Sequence, residues 1–248
     1  MRKTQTEEKT SGNPINAPIP GLTITTAIVL FLALTTVAPL FYIAQIPNSL
    51  GLTILFFNNL NIWVALCEIA LGNHIQFIKQ DYLDLKKKYE GKEYQAAFRY
   101  LFMPLSLSTL FSGEKWAIMW STYALWDPSY QNHESFGFFI DVGNGWSTIP
   151  SCVLWNVAIL FPDELQQAWT FSWLLVGVVG CCSYWQVLYG TIIYLFSFIF
   201  NERYVGRPIA EVAGFVGFAN GIWFFFPIFC LYAAVLVLKD QELVGVFS

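Results

Sequence analysis

The stretch LGLTILFFNNLNIWVALCEIALG, residues 50–72, decides the fold of this chain. It is long and apolar enough to cross a bilayer as one helix, although it contains Asn58, Asn61 and Glu68. The spacing of these residues, which Gly72 extends by one turn, places them on one face of a helix. A polar side chain at this depth is costly and is seldom kept without a use, so we expect this face to turn away from lipid.

Three later apolar stretches carry polar or small residues at the same helical spacing. Four such faces can be satisfied by turning toward one another, so we expect them to surround a shared cavity. The alternative is that the polar side chains only join helices by hydrogen bonds. The three stripes are Asp141, Asn144, Thr148 and Cys152 in residues 137–161; Ser183, Gln186, Gly190, Ser197 and Asn201 in residues 183–201; and Ala213, Gly217 and Asn220 in residues 210–238.

The composition is typical of an integral membrane protein. Only 12% of the 248 residues are charged, against about 25% in soluble domains, and 56% are hydrophobic. No basic stripe indicates nucleic-acid binding, and the five cysteines have no metal-ligand spacing. The chain has no HExxH, GxSxG, P-loop or GxGxxG motif, so we predict neither a metal site nor a cofactor.

We predict an all-α integral membrane protein, a five-transmembrane-helix bundle around an intramembrane ligand cavity. A disordered N-terminal tail of residues 1–20 precedes a single membrane domain of residues 21–240. Interfacial segments are expected at 74–130, where a lysine-rich amphipathic stretch precedes a short apolar run that Pro104 interrupts. The five spans are expected at about 22–46, 52–72, 138–161, 168–200 and 213–238.

The length of the fourth span and the distribution of basic residues refine this topology. Residues 168–200 are too many for a bilayer core of about 30 Å at a rise of about 1.5 Å per residue. We therefore expect this helix to be tilted, or broken near Gly180–Ser183. With five spans, every Lys and Arg except Lys239 falls on one side of the membrane. The positive-inside rule then predicts a cytosolic N-terminus.

Glu68 and Asp141 are the candidate catalytic residues, because an acidic side chain within a span is a functional-site hypothesis by default. A neutral carboxylic acid at Glu68 can protonate an alkene of a hydrophobic ligand, and Asp141 can take a proton from a neighbouring carbon. Aromatic faces can stabilise the intervening carbocation. The candidate ligand-binding residues are Asn61, Asn144, Gln186, Tyr189, Tyr194, Asn220 and Trp223.

Three motifs of the C-terminal half together resemble a known family. They are WSTYALWDPSY at residues 120–130, Tyr189-Gly190 followed by Tyr194, and FANGIWFFFP at residues 218–227, which contains Asn220, Trp223 and Pro227. In this order they resemble the emopamil-binding protein family, which shares the EXPERA domain. The resemblance covers roughly residues 115–238 and, more weakly, residues 50–72.

The family includes sterol Δ8–Δ7 isomerases of the endoplasmic reticulum. The resemblance therefore implies that location and a five-helix cavity for a sterol-like ligand, lined by Asn220 and Trp223. The chain also departs from the isomerase pattern of a His and a Glu four residues apart in the second helix. Glu68 falls near the position of that His, and Gly72 near that of the Glu. The isomerases have a further Glu in the third helix, whereas the nearest acid here, Asp141, is about two turns earlier.

Two functions are compatible with these features. The first is a membrane-embedded isomerase or cyclase that acts on a sterol, terpenoid or other isoprenoid through protonation and deprotonation, without a cofactor. The alternative is a non-catalytic sterol- or lipid-binding membrane protein of the same fold. A channel or transporter is disfavoured, since the sequence shows no internal repeat. The expected partners are a hydrophobic small molecule and membrane lipid, with a homodimer as a further possibility and no nucleic acid.

Overall fold

A computed structural model of the chain describes residues 14–43, 45–133 and 135–247. Within these residues the secondary structure is helical, apart from turns and one isolated bridge between Thr23 and Pro104. Most of the predicted N-terminal tail, residues 1–13, lies outside the described residues. Residues 14–20 contain a short 3-10 turn, and the backbone N–H of Ile19 donates to the carbonyl of Leu105 at 2.9 Å.

Long helices alternate with short ones along the described chain. The α-helices are α1 (Ile24–Leu32), α2 (Ser49–Asn73), α3 (Ile75–Lys88), α4 (Glu93–Leu101), α5 (Leu107–Leu110), α6 (Gly113–Tyr123), α7 (Phe136–Leu160), α8 (Pro162–Ala168), α9 (Ser172–Phe200), α10 (Ile209–Glu211), α11 (Ala219–Asp240) and α12 (Val244–Phe247). A π-helical turn, Ala33–Val37, and a 3-10 turn, Ala38–Phe41, extend α1. A second π-helical turn, Val212–Phe218, joins α10 to α11.

Four helical segments of the described chain are long and apolar enough to cross a membrane, which is compatible with the predicted integral membrane class. They are Ile24–Phe41, Ser49–Asn73, Ser172–Phe200 and Ile209–Asp240. Helix α7 has 25 residues and matches the predicted third span in position, but it is less apolar and does not belong to these four. The predicted count of five spans therefore remains a prediction.

Helices α2 and α7 pack most extensively and run antiparallel. Gly72 of α2 faces Val142 near the start of α7, whereas Gly51 at the start of α2 faces Ile159 near the end of α7. Helix α9 packs between α7 and α11. The bundle thus brings the polar faces of α2 and α7 directly together.

The predicted fourth span differs from the structure at its start and at its expected weak point. The chain turns after α8, so the long helix begins at Ser172 rather than near residue 168. Of the two alternatives predicted for this helix, a break near Gly180–Ser183 is wrong, because α9 continues through it, and a tilted helix stays a prediction. Gly180 instead allows close packing, since a Cβ there would overlap the buried ring of Trp155.

Two π-helical turns change which residues face the bundle. In the first, Pro39 has no N–H to offer the carbonyl of Thr35, and the side-chain amide of Asn59 donates to that carbonyl at 3.0 Å. The second π-helical turn, Val212–Phe218, adds a residue to the helical repeat. The residues before it are therefore rotated relative to the faces of α11. As a result Ala213 and Gly217 are exposed, although they were predicted to share the inward stripe of Asn220.

The charged loops meet at one end of the bundle. Arg203, in the loop after α9, pairs with Asp127, which precedes α7, at 3.1 Å. Arg207 approaches Glu93 at the start of α4 to 3.9 Å. The arrangement brings together the two loops that the five-span topology assigns to one side of the membrane.

Close packing at Gly180 is testable with a single methyl group. We expect Gly180→Ala to destabilise the protein by about 1–3 kcal/mol, because the added Cβ overlaps a ring that cannot move away. Gly221→Ala is the matched control in α11, since a Cβ there has open space. Thermal unfolding in one detergent should show a lower midpoint for Gly180→Ala only. Equal midpoints for the two variants would contradict this packing.

Candidate functional site

Asn61 joins three helices at the centre of the bundle. Its side-chain oxygen accepts from the indole N–H of Trp223 in α11 at 2.8 Å. Its amide nitrogen lies 3.5 Å from the sulfur of Cys152 in α7. The two predicted ligand-binding residues Asn61 and Trp223 therefore meet, and each satisfies the other.

A second polar cluster lies about one turn from Asn61 on the same helix. The amide of Asn58 donates to Asn156 at 3.0 Å, and Asn156 donates to Asn59 at 2.9 Å. Asn58 also accepts from the hydroxyl of Tyr184 in α9 at 3.0 Å, and Asn59 donates to Thr36 at 3.0 Å. This amide cluster (Thr36, Asn58, Asn59, Asn156 and Tyr184) ties four helical segments together and satisfies its own members.

Glu68 differs from these asparagines because part of its carboxyl group has no partner. The side chain is buried, and its Oε2 atom makes no hydrogen bond within the described residues. Its Cβ packs against Gly145, where a Cβ on the glycine would approach it to 2.9 Å. Asp141 lies one turn before Gly145 on the same face of α7. The two predicted catalytic residues are therefore on the facing sides of α2 and α7.

Asp127 is the centre of a further buried network at the end of the bundle where the charged loops meet. It is fully buried and accepts from the hydroxyl of Tyr194 at 2.8 Å and from the guanidinium of Arg203 at 3.1 Å. The backbone N–H of Ser129 donates to its other oxygen at 3.0 Å. The motif WSTYALWDPSY therefore places a carboxylate where α9, the loop after α9 and the motif's own backbone hold it.

A chain of hydrogen bonds leads from Asp127 into the bundle. Because the hydroxyl of Tyr194 donates to Asp127, the hydroxyl of Tyr123, 3.0 Å away, donates to Tyr194. The amide of Asn220 in turn donates to Tyr123 at 3.1 Å. Burial raises the pKa of the Tyr123 phenol, and the neighbouring Asp127 raises it further. Tyr123 is therefore protonated and able to donate at neutral pH.

Two stacked aromatic rings, Trp120 and Tyr130, lie between the Asp127 network and the two catalytic candidates. Tyr130 stacks on Trp120 at 5.0 Å between ring centroids, and the indole N–H of Trp120 donates to the carbonyl of Cys67, next to Glu68, at 2.7 Å. Burial raises the pKa of Tyr130, with a further contribution from Asp141, which its hydroxyl adjoins. The two rings thus link the quoted motif to the acidic pair.

Of the remaining predicted ligand-binding residues, Gln186 and Tyr189 are exposed on the outer surface, and Asn144 is partly buried beside Gln186. The amide of Gln186 donates to Asn144 at 2.9 Å, and Gln186 is exposed at the outside of the α7–α9 pair. Tyr189 is 49% exposed and stacks on Trp185 at 5.8 Å. Gln186 and Tyr189 therefore face away from the bundle, whereas Asn144 lies one turn after Asp141 on α7.

Several residues of the site were missed by the sequence analysis. Asn156 could have been found, because it continues the stripe of α7 four residues after Cys152. Asp127 and Tyr123 lie inside the quoted motif, but the motif alone does not show that both bind the hydroxyl of Tyr194. Arg203 had no signal, since it lies in a predicted loop among other charges.

The described part of the site has no metal cluster, and an open cleft lies at its edge. Within the described part of the chain no three His, Cys, Asp or Glu residues are grouped as metal ligands. A cleft of about 600 Å³ opens beside the Asp127 network, with Ser129, Arg203 and Arg207 in its wall. The predicted intramembrane cavity stays a prediction, because the central polar side chains bind one another directly.

No family model, curated protein or solved structure matches this chain. The resemblance to the emopamil-binding protein family therefore rests on the three motifs, and the chemistry of the site must be argued from its own residues.

Tyr194 and Tyr189, on the same helix, provide a direct test of the Asp127 network. Tyr194→Phe removes a donor to a buried carboxylate and leaves Tyr123 without an acceptor, so we expect a loss of about 1.5–3 kcal/mol of stability. Tyr189→Phe should change stability little, because its hydroxyl has no partner within the described residues. Thermal unfolding of both variants measures the difference. Loss of similar size in both would argue against the network.

Proposed function

We propose that this chain is a membrane-embedded isomerase or cyclase that acts on a sterol, terpenoid or other isoprenoid by proton transfer. The observation that carries the proposal is the carboxyl of Glu68, which is buried in an apolar helix with one oxygen unpaired among the described residues. Elsewhere on the same stripe the polar groups are paired. An acidic group kept at this cost, beside a second one, is better explained by chemistry than by helix packing.

The acidic pair can supply both halves of a double-bond shift. Glu68, as the protonated acid, gives its proton to one alkene carbon, which forms a C–H bond and leaves a carbocation on the neighbouring carbon. Asp141, as the carboxylate, takes a proton from the next carbon, and the electron pair of that C–H bond becomes the new double bond. Return of the proton from Asp141 to Glu68 restores the starting state, so no cofactor or net proton is consumed. Two carboxyls that share one buried site are most stable with one proton between them, and the proposed cycle requires this state of Glu68 and Asp141.

Aromatic rings near the acidic pair suit a carbocation. Tyr130 and Trp120 are both buried. Tyr130 adjoins Asp141, and Trp120 donates to the carbonyl of Cys67, next to Glu68. Their faces can attract positive charge without offering a nucleophile that would trap it. An apolar substrate can reach the acidic pair from the surrounding lipid if α2 and α7 separate. At Gly145 the α7 side of this contact has no side chain.

The membrane arrangement completes the proposal. We assign α7 as a fifth span, because it packs along α2 and α9 over its length. Five spans place the loop of Arg203 and Arg207 and the lysines of α3 on the same side as the N-terminus, which we assign to the cytosol. An endoplasmic reticulum location follows from the family resemblance alone.

A non-catalytic lipid-binding protein is the second candidate, and one observation favours it. Four predicted ligand-binding residues, Asn61, Tyr194, Asn220 and Trp223, already bind one another or their neighbours. Side chains satisfied in this way need no substrate, and they would hold the helices as a scaffold.

Deuterium exchange distinguishes the two candidates without a guess at the substrate. Microsomes from a eukaryotic host that expresses the protein are incubated with the host's neutral lipids in heavy water. Mass spectrometry then detects lipids that gain one deuterium on carbon. We expect uptake with the wild type and a loss of at least about 100-fold with Glu68→Gln, because the amide cannot give the proton.

The matched control is Glu114→Gln, which makes the same change at an exposed residue in the first turn of α6. It should leave uptake unchanged. Uptake retained by Glu68→Gln would exclude Glu68 as the acid. No uptake by any form, with a sterol or isoprenoid retained on the purified protein, would favour the binding function.

A further inference from the structure

Tyr130, in the segment between α6 and α7, has a ring that its neighbours hold in place. The side chain is 3% exposed and stacks on Trp120 at 5.0 Å between ring centroids. Tyr123 meets the same ring edge-on at 5.1 Å. Trp120 is itself fixed, because its indole N–H donates at 2.7 Å to the backbone carbonyl of Cys67, the residue before Glu68. Packing therefore sets the direction of the Tyr130 hydroxyl.

This hydroxyl points to the first turns of α7. A Cβ added at Gly137 would lie 3.3 Å from the hydroxyl oxygen, so the glycine leaves room for it. Gly137 lies one turn before Asp141 on the same face of α7, and the hydroxyl adjoins the carboxyl of Asp141. Burial raises the pKa of the Tyr130 phenol, so the phenol keeps its proton at neutral pH. Tyr130 thus offers Asp141 a hydrogen-bond donor.

The two acids of the proposed site differ in their surroundings for this reason. Asp141 has the hydroxyl of Tyr130 beside it, whereas the Oε2 atom of Glu68 has no partner among the described residues. A hydrogen bond from a neutral donor favours the charged form of a carboxyl, and an apolar site without a donor favours the neutral form. When two carboxyls share one proton, such a difference decides which of them holds it.

We propose that Tyr130 is a positioning residue that keeps Asp141 ionised, so that the single proton of the acidic pair stays on Glu68. The inference rests on the proposed function and adds the origin of the acid and base roles. These roles cannot be exchanged freely, because a protonated Asp141 cannot take a proton from carbon and an ionised Glu68 cannot give one.

Infrared spectroscopy of the protein in phosphatidylcholine vesicles at neutral pH locates the proton without a substrate. A protonated carboxyl has a C=O stretching band that a carboxylate lacks. Carbon-13 in the side-chain carboxyl of every aspartate, introduced by cell-free synthesis, moves this band only if an aspartic acid produces it. We expect the wild-type band to stay in place, because Glu68 holds the proton. In Tyr130→Phe the ratio of moved to unmoved band should rise at least about tenfold, because Asp141 loses its donor.

Tyr100→Phe is the matched control, since it makes the same change at a buried tyrosine whose hydroxyl has no partner among the described residues. It should give the wild-type spectrum. Gly137→Ala is a second variant if Tyr130→Phe does not fold, because its added methyl group displaces the hydroxyl without removing the ring. It should change the ratio in the same direction.

A wild-type band that moves with the aspartate label would overturn the proposal, as would the absence of any protonated carboxyl. So would a ratio that neither Tyr130→Phe nor Gly137→Ala changes. Deuterium uptake tests turnover separately. Uptake that depends on Glu68, with a proton distribution that does not depend on Tyr130, would contradict the positioning role alone. A distribution that depends on Tyr130, without uptake by any form, would contradict catalysis alone.

Discussion

A polar group inside a bilayer must find its partner within the protein, because the hydrocarbon core offers none. The asparagines of α2 make this constraint decisive for the fold. Asn58 can be satisfied only if α7 brings Asn156 and α9 brings Tyr184 to it, and Asn61 only if α11 brings Trp223. The pairing therefore fixes the order of the helices around α2 and their registers, which a purely apolar contact would leave free to slide.

Some polar groups of the described residues depart from this rule, and the proposed function comes from one of them. Glu68 is buried with an unpaired oxygen, which has a cost and no benefit unless the group acts on something that binds there. A buried polar atom without a partner also occurs in four neutral side chains, for which the cost is smaller than for an acidic group: Trp63, Tyr100, Thr122 and Ser172. The remaining polar side chains of the α2 stripe pair with other helices, as the helix-joining alternative predicts.

The class of fold could be predicted from the sequence, and the grouping of the site only in part. Hydropathy predicts the long helices, and helical spacing predicts that Glu68 and Asn61 share a face. Spacing fails where the repeat changes, as at the π-helical turn before Asn220, which leaves Ala213 exposed. It also cannot distinguish a face that meets a helix from one that meets lipid, so Gln186 was assigned inward. Interactions between distant segments, such as Asp127 with Arg203, have no periodic signal at all.

The central claim is that Glu68 is kept for function and the asparagines for structure, and the stability of two variants tests it most directly. Asn58→Leu removes the hydrogen-bond partner of Asn156 and Tyr184, whereas Glu68→Met removes a carboxyl whose Oε2 atom has no partner among the described residues. Thermal unfolding in detergent should show a lower midpoint for Asn58→Leu and an equal or higher midpoint for Glu68→Met than for the wild type. A loss of stability in Glu68→Met as large as in Asn58→Leu would show that Glu68 is structural and contradict the account.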